Sequence, residues 1–74
     1  MKNELTYELE ELILKAVKIR KSRGMTQKDI SDMSGLKQQH ISKIETLKEI
    51  PTMKTFFLYI ASIGCSITLI EDIN

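Results

Sequence analysis

MTQKDISDMSGLKQQHISKIE, Met25 to Glu45, is the stretch on which the reading of this chain turns. Thr26 stands where a hydroxyl can cap a helix, Asp29 three residues on can close a capping box, and Met25 and Ile30 flank them as a hydrophobic staple. A helix is therefore expected to begin at Gln27. It must be short, because Gly35 follows nine residues after Thr26 and can take the left-handed conformation that turns a chain sharply. Another helix is expected from about Gln38 to Thr46, with Leu36, Ile41 and Ile44 directed to a core and Ser31 small enough to let the two backbones approach.

Working outward, Leu5, Leu9, Leu12, Ile13, Ala16, Val17 and Ile19 recur at three- and four-residue spacings, the stripe of an amphipathic helix that Gly24 stops. Pro51 disfavours helix at Ile50, and Thr52 is a good cap for a further helix. That helix carries Met53, Phe56, Phe57, Ile60, Ala61 and Ile63 as a broad apolar face and is closed by Gly64. Residues 65–71 read differently: Ile67 and Leu69 alternate with Ser66 and Thr68, as in a strand. A lone strand in a helical chain lacks a ladder partner. The same strand of a second copy, paired antiparallel about a two-fold axis, would supply one and bury Ile67 and Leu69; the alternative is a frayed tail.

A helical wheel separates the two sides of the Gln38–Thr46 helix. With Ile41 at zero and about 100° per residue, Ile44 falls near 300°, so the core lies near 330°. Opposite stand Gln39 at about 160°, Lys43 at about 200°, Thr46 at about 140° and Ser42 at about 100°, with Gln38 in the exposed first turn. His40, near 260°, borders the covered side. Glutamine can donate and accept together at the edge of adenine, and lysine suits the acceptors of guanine. Two helices joined by a tight turn, the second bearing such a face, form a helix-turn-helix over about residues 26–46.

Charge supports that direction. The formal net charge is only +1, but residues 15–48 hold nine Lys/Arg against three acids. Residues 1–14 hold one lysine against four glutamates, and residues 49–74 one lysine against three acids. The middle of the chain is a basic patch of the kind a polyanion feels, although a solvated lysine-rich surface explains the charge alone equally well. Seventy-four residues make one domain of modest intrinsic stability, to which a partner subunit would add. A single cysteine, Cys65, and a single histidine cannot supply a structural zinc site or an internal disulfide, so no metal and no cofactor are expected. No acid, base and nucleophile are set together by a motif, so no catalytic residues and no enzyme are expected. The acidic start MKNELTYELEEL does not read as a secretion signal and no apolar run spans a bilayer, so the expected setting is cytoplasmic, without a membrane.

The run TQKDISDMSGLKQQHISKIE, with Pro51 six residues after its last glutamate, resembles the Cro/CI-type helix-turn-helix family of phage and bacterial repressors, also called the Xre type. The likeness covers about Ile19 to Ile67. It implies an all-α, four- to five-helix lambda-repressor-like domain, here with a short C-terminal β-strand added, that represses transcription at a palindromic operator. By resemblance, Gln27 takes the phosphate-contacting position, Gln38, Gln39 and Lys43 take base-reading positions, and Arg20 and Glu45 form an internal ion pair. Ser42 shares the base-reading face; Lys28, Lys37, Lys48 and Thr46 are further phosphate candidates, as are Lys15, Lys18, Lys21 and Arg23. The chain departs from the family at Leu47, where glycine is usual, at Lys37, where a capping Ser or Thr is common, and in its acidic first eleven residues and C-terminal strand. Some small antitoxins of the family end in a subunit-joining strand. The expected partners are therefore double-stranded DNA, a second copy of the chain and, as an alternative role, a toxin protein.

Overall fold

The computed structural model describes residues 4–72. Four helices account for its regular structure: α1 (Glu4–Ser22), α2 (Gln27–Ser34), α3 (Gln38–Glu45) and α4 (Met53–Ser62). Three of them have eight to ten residues, too few for a helix to persist alone in water, so caps and packing must hold them. No helix among the described residues is long and apolar enough to cross a membrane.

The start of α2 is the expected capping box: the Thr26 hydroxyl accepts from the Asp29 N–H at 3.1 Å, and the Asp29 carboxylate accepts from the Thr26 N–H at 2.8 Å. Thr52 caps α4 by accepting from the Thr55 N–H at 3.1 Å. Lys37 precedes α3 in extended conformation with no side-chain cap. Gly35 adopts φ 80° between α2 and α3, where the Ser31 hydroxyl donates to the Leu36 carbonyl at 2.6 Å and locks the turn.

Three helix ends share one geometry, in which a left-handed residue bends the chain back and two N–H groups return to the last-turn carbonyls. At α1 the left-handed residue is Gly24 (φ 69°) and at α4 it is Gly64 (φ 78°). At α3 it is Leu47 (φ 61°), whose N–H donates to Ile44, while Lys48 donates to Lys43. The chain thus follows the glycine path with a leucine, at a steric cost of about 1–2 kcal/mol. The Leu47 side chain packs against the core, which offsets that cost.

The core joins Ile13 and Ala16 of α1, Ile30 of α2, Ile41 and Ile44 of α3, and Phe56, Tyr59, Ile60 and Ile63 from α4 and its end. Two expectations are corrected. On α4 the inward face is Phe56, Tyr59, Ile60 and Ile63, at spacings of three, one and three; Met53, Phe57 and Ala61 face out, with Met53 74% exposed. That helix has more apolar residues than one face can hold, and Tyr59 takes a core position because its hydroxyl finds a buried acceptor. The C-terminal strand expected over 65–71 is not observed: residues 65–72 have no regular secondary structure, and no described segment offers an edge to pair with. Ile67 is 43% and Leu69 97% exposed, so the burial expected from strand pairing across a dimer is not seen in the chain itself.

Arg23 ties the ends of α1 and α4 together, its Nη1 donating to the Ile63 carbonyl. A Cβ on Gly64 would meet that nitrogen at 2.6 Å, whereas one on Gly24 meets nothing within 4 Å. Gly24→Ala is expected to cost about 1–2 kcal/mol through backbone strain alone. Gly64→Ala is expected to cost about the same 1–2 kcal/mol in denaturant unfolding, because the Arg23 guanidinium its Cβ meets is the far end of a flexible side chain that can swing aside; a cost several-fold larger would contradict this.

Candidate nucleic-acid interface

The exposed face of α3 is set by what lies behind it. Ile41 and Ile44 are fully buried, and they fix the helix in rotation so that Gln38, Gln39, Lys43 and Thr46 face outward. Ser42 and His40 are half-buried at the borders of this face, as the wheel predicts. The side chains of Gln38, Gln39 and Lys43 make no hydrogen bond or ion pair with another described residue and are therefore available.

Two open grooves flank this helix. The larger, about 590 Å³, brings Gln27 at the start of α2 together with Gln38, Thr46, Lys21 and Arg20. The smaller, about 250 Å³, brings Lys37, Gln39 and Lys43 together with His40 and Glu49. Lys28, Ser42 and Lys48 line neither. Lys28 pairs with Asp32 at 3.1 Å on the outer side of α2, an i,i+4 contact between two largely exposed groups that is worth only a few tenths of a kcal/mol and is easily exchanged. The Thr46 hydroxyl donates to the Ser42 carbonyl at 2.8 Å, so its proton is already used. Asp29, an acid close to the larger groove, is turned onto the backbone; its hydrogen bond with the Thr26 N–H holds its carboxyl below the usual range.

Behind the larger groove lies a buried polar cluster. The Arg20 guanidinium grips Glu45 with two bonds of 2.7 Å, from Nε to Oε2 and from Nη2 to Oε1, and its Nη1 donates to the Met25 carbonyl at 2.7 Å. The Tyr59 hydroxyl donates to Glu45 Oε2 at 2.5 Å and the Gln27 amide donates to Oε1 at 2.9 Å. One carboxylate thus receives four donors from α1, α2 and α4, and no buried side-chain nitrogen or oxygen among the described residues lacks a partner. The ion pair Arg20–Glu45 is as the resemblance implies. Gln27, expected to contact phosphate, spends one amide N–H on Glu45 and keeps the other, so it joins the surface groove to the buried cluster. Tyr59 escaped the sequence reading, although its spacing from Phe56 and Ile63 was the available signal.

Burial pushes the Glu45 carboxyl up, but the hydrogen bonds from Arg20, Tyr59 and Gln27, with the charge of Arg20, outweigh it and hold the group below its ordinary value. Burial and then the bond to Glu45 push the Tyr59 phenol far above its own. A carboxyl whose folded pKa is lowered contributes stability that is complete above the unfolded value, near 4, and is lost as pH falls through the folded value. Stability is thus expected to fall as pH drops below about 4, and Glu45→Gln is expected to flatten that decline while lowering stability at neutral pH. Arg20→Ala is expected to cost about 3–5 kcal/mol, since it strands a buried charge. Tyr59→Phe is expected to cost about 1–3 kcal/mol. Urea unfolding of the variants at several pH values checks all three; a pH-independent deficit in Glu45→Gln would contradict the assignment.

The helix-turn-helix family model matches residues 18–70, from the later part of α1 through α4 into the tail. No curated protein and no solved structure matches the chain. With that match extending over most of its length, the chain belongs to the helix-turn-helix family of the Cro/CI (Xre) type, whose domains bind DNA to regulate transcription.

Proposed function

We propose that this chain is a sequence-specific repressor that binds a palindromic double-stranded site as a two-fold dimer. The observation that carries the reading is the outer face of α3, whose Gln39 and Lys43 side chains have no partner among the described residues while the buried Ile41 and Ile44 hold the helix behind them. Gln38, Gln39, Ser42 and Lys43 read base edges in the major groove, the two glutamines suiting adenine and the lysine guanine. Gln27, Lys28, Lys37 and Lys48 hold phosphates and fix register, with Thr46 joining them once its hydroxyl leaves Ser42.

The dimer reading rests on a second surface. Leu12 of α1, Met53 and Phe57 of α4, and Ile67 and Leu69 of the tail border one apolar groove of about 510 Å³. Leu69 is 97% and the adjacent Ile70 82% exposed, so the edge of this groove ends in apolar side chains left to water. A second copy, its tail paired antiparallel with this one and its Ile67 and Leu69 covered, places two α3 helices in successive major grooves about 34 Å apart. The same patch favours one alternative, in which the domain is the antitoxin of a toxin pair and the toxin docks there.

Selection from a random duplex pool is expected to return a two-fold symmetric consensus, with affinity that falls steeply as salt rises. Gln39→Ala is expected to lose discrimination between sequences, and Lys28→Ala to lose affinity uniformly. Sedimentation of the free protein is expected to show a dimer that Leu69→Asp dissociates. A monomer with unchanged DNA binding would contradict the dimer, and salt-independent binding, or none, would contradict the DNA reading.

A further inference from the structure

The loop after α3 does not run away from the helix. With Leu47 left-handed, the N–H groups of Lys48 and Glu49 both return to the Lys43 carbonyl, at 2.9 and 3.2 Å. This turns Glu49 back along the flank of α3, where its Oε1 lies 3.3 Å from His40 Nε2. The two share the smaller groove with Lys37, Gln39 and Lys43. The other carboxylate that borders either groove, Glu45, is buried and neutralised by Arg20. Glu49 is different: it is about half exposed, and among the described residues its ion-pair partner is His40 and no lysine or arginine.

On a surface that meets DNA, such a carboxylate is repelled by every phosphate nearby, whatever the sequence. It gains only where the groove offers a donor, and in the major groove the donors are the exocyclic amino groups, cytosine N4 above all for a carboxylate. We propose, resting on the DNA-binding reading above, that Glu49 is a specificity-determining residue of the α3 surface, which accepts from a base amino group and penalises binding where none is present. His40 is its positioning residue, its Nε2 lying 3.3 Å from Glu49 Oε1 and holding the carboxylate against the flank of α3. The groups that face the pair are Lys37, Lys43 and Gln39.

The test compares the duplex selected by the wild-type chain with the unselected random pool, each titrated with every variant at the same pH and salt concentration. Glu49→Ala is expected to bind the random pool several-fold tighter but the selected duplex no tighter, so that their ratio falls roughly tenfold. Glu49→Gln, which keeps an acceptor without the charge, is expected to tighten both and to retain most of the ratio. His40→Gln, which keeps a donor for the Glu49 carboxylate, is expected to retain most of the ratio, and His40→Ala to lower it. If Glu49→Ala changes both affinities by the same factor, Glu49 contacts no base and the proposal fails while the DNA reading stands. The positioning role fails if His40→Ala keeps the wild-type ratio. If the wild-type chain selects no duplex, the DNA reading fails and takes the proposal with it. Glu49 is exposed and His40 half-buried, and unchanged thermal unfolding of each variant confirms that binding alone is compared.

Discussion

A single carboxylate, desolvated and fully matched, organises this domain. Glu45 ends the exposed helix, and the four donors it receives reach it from Arg20 on α1, Gln27 on α2 and Tyr59 on α4. A buried ion of this kind is not a large net source of stability, because withdrawing both charges from water costs nearly what their attraction returns. What it supplies is geometry: any displacement of α3 relative to the other helices strands a charge in the interior. The apolar anchors alone are less exacting, since isoleucines tolerate small shifts in packing. Ile41 and Ile44 set the rotation of α3, and Glu45 sets its position.

In the proposed reading, the link from fold to function runs through Gln27. Its amide touches Glu45 inside and borders the open groove outside, so the start of α2 and the exposed face of α3 keep a fixed separation. The proposed recognition of a duplex would use this, because phosphate contacts define the register in which base edges are presented. The left-handed Leu47 extends the same logic past the end of α3: the chain accepts local strain there and brings Glu49 back beside the helix.

Much of this was legible from residues alone, and for physical reasons. The capping box at Thr26 and Asp29, the turn at Gly35 and the cap at Thr52 are local signals, and each appears where the spacing requires. The wheel of α3 reads correctly because two isoleucines define one narrow buried side. Legibility fails where the outcome depends on distant partners. The apolar face of α4 is too broad to orient from within the helix, and Tyr59 turned inward only because Glu45 accepts its hydroxyl. The tail alternates like a strand, but alternation describes side chains and not the ladder that a strand needs, so Ile67 and Leu69 remain exposed. Glu49 was invisible because its approach to His40 depends on the backbone path at Leu47.

The charge asymmetry of the chain fits this division of surfaces. Its basic middle carries the exposed face of α3, whereas the apolar groove lies between the flanking segments, α1 on one side and α4 with the tail on the other. The most direct test of the central claim is backbone amide NMR of the labelled protein titrated with its selected duplex. Perturbations concentrated at Gln27 and from Lys37 to Thr46 are the predicted result. A map centred instead on Leu12, Phe57 and Leu69, with the α3 amides unmoved, would contradict it.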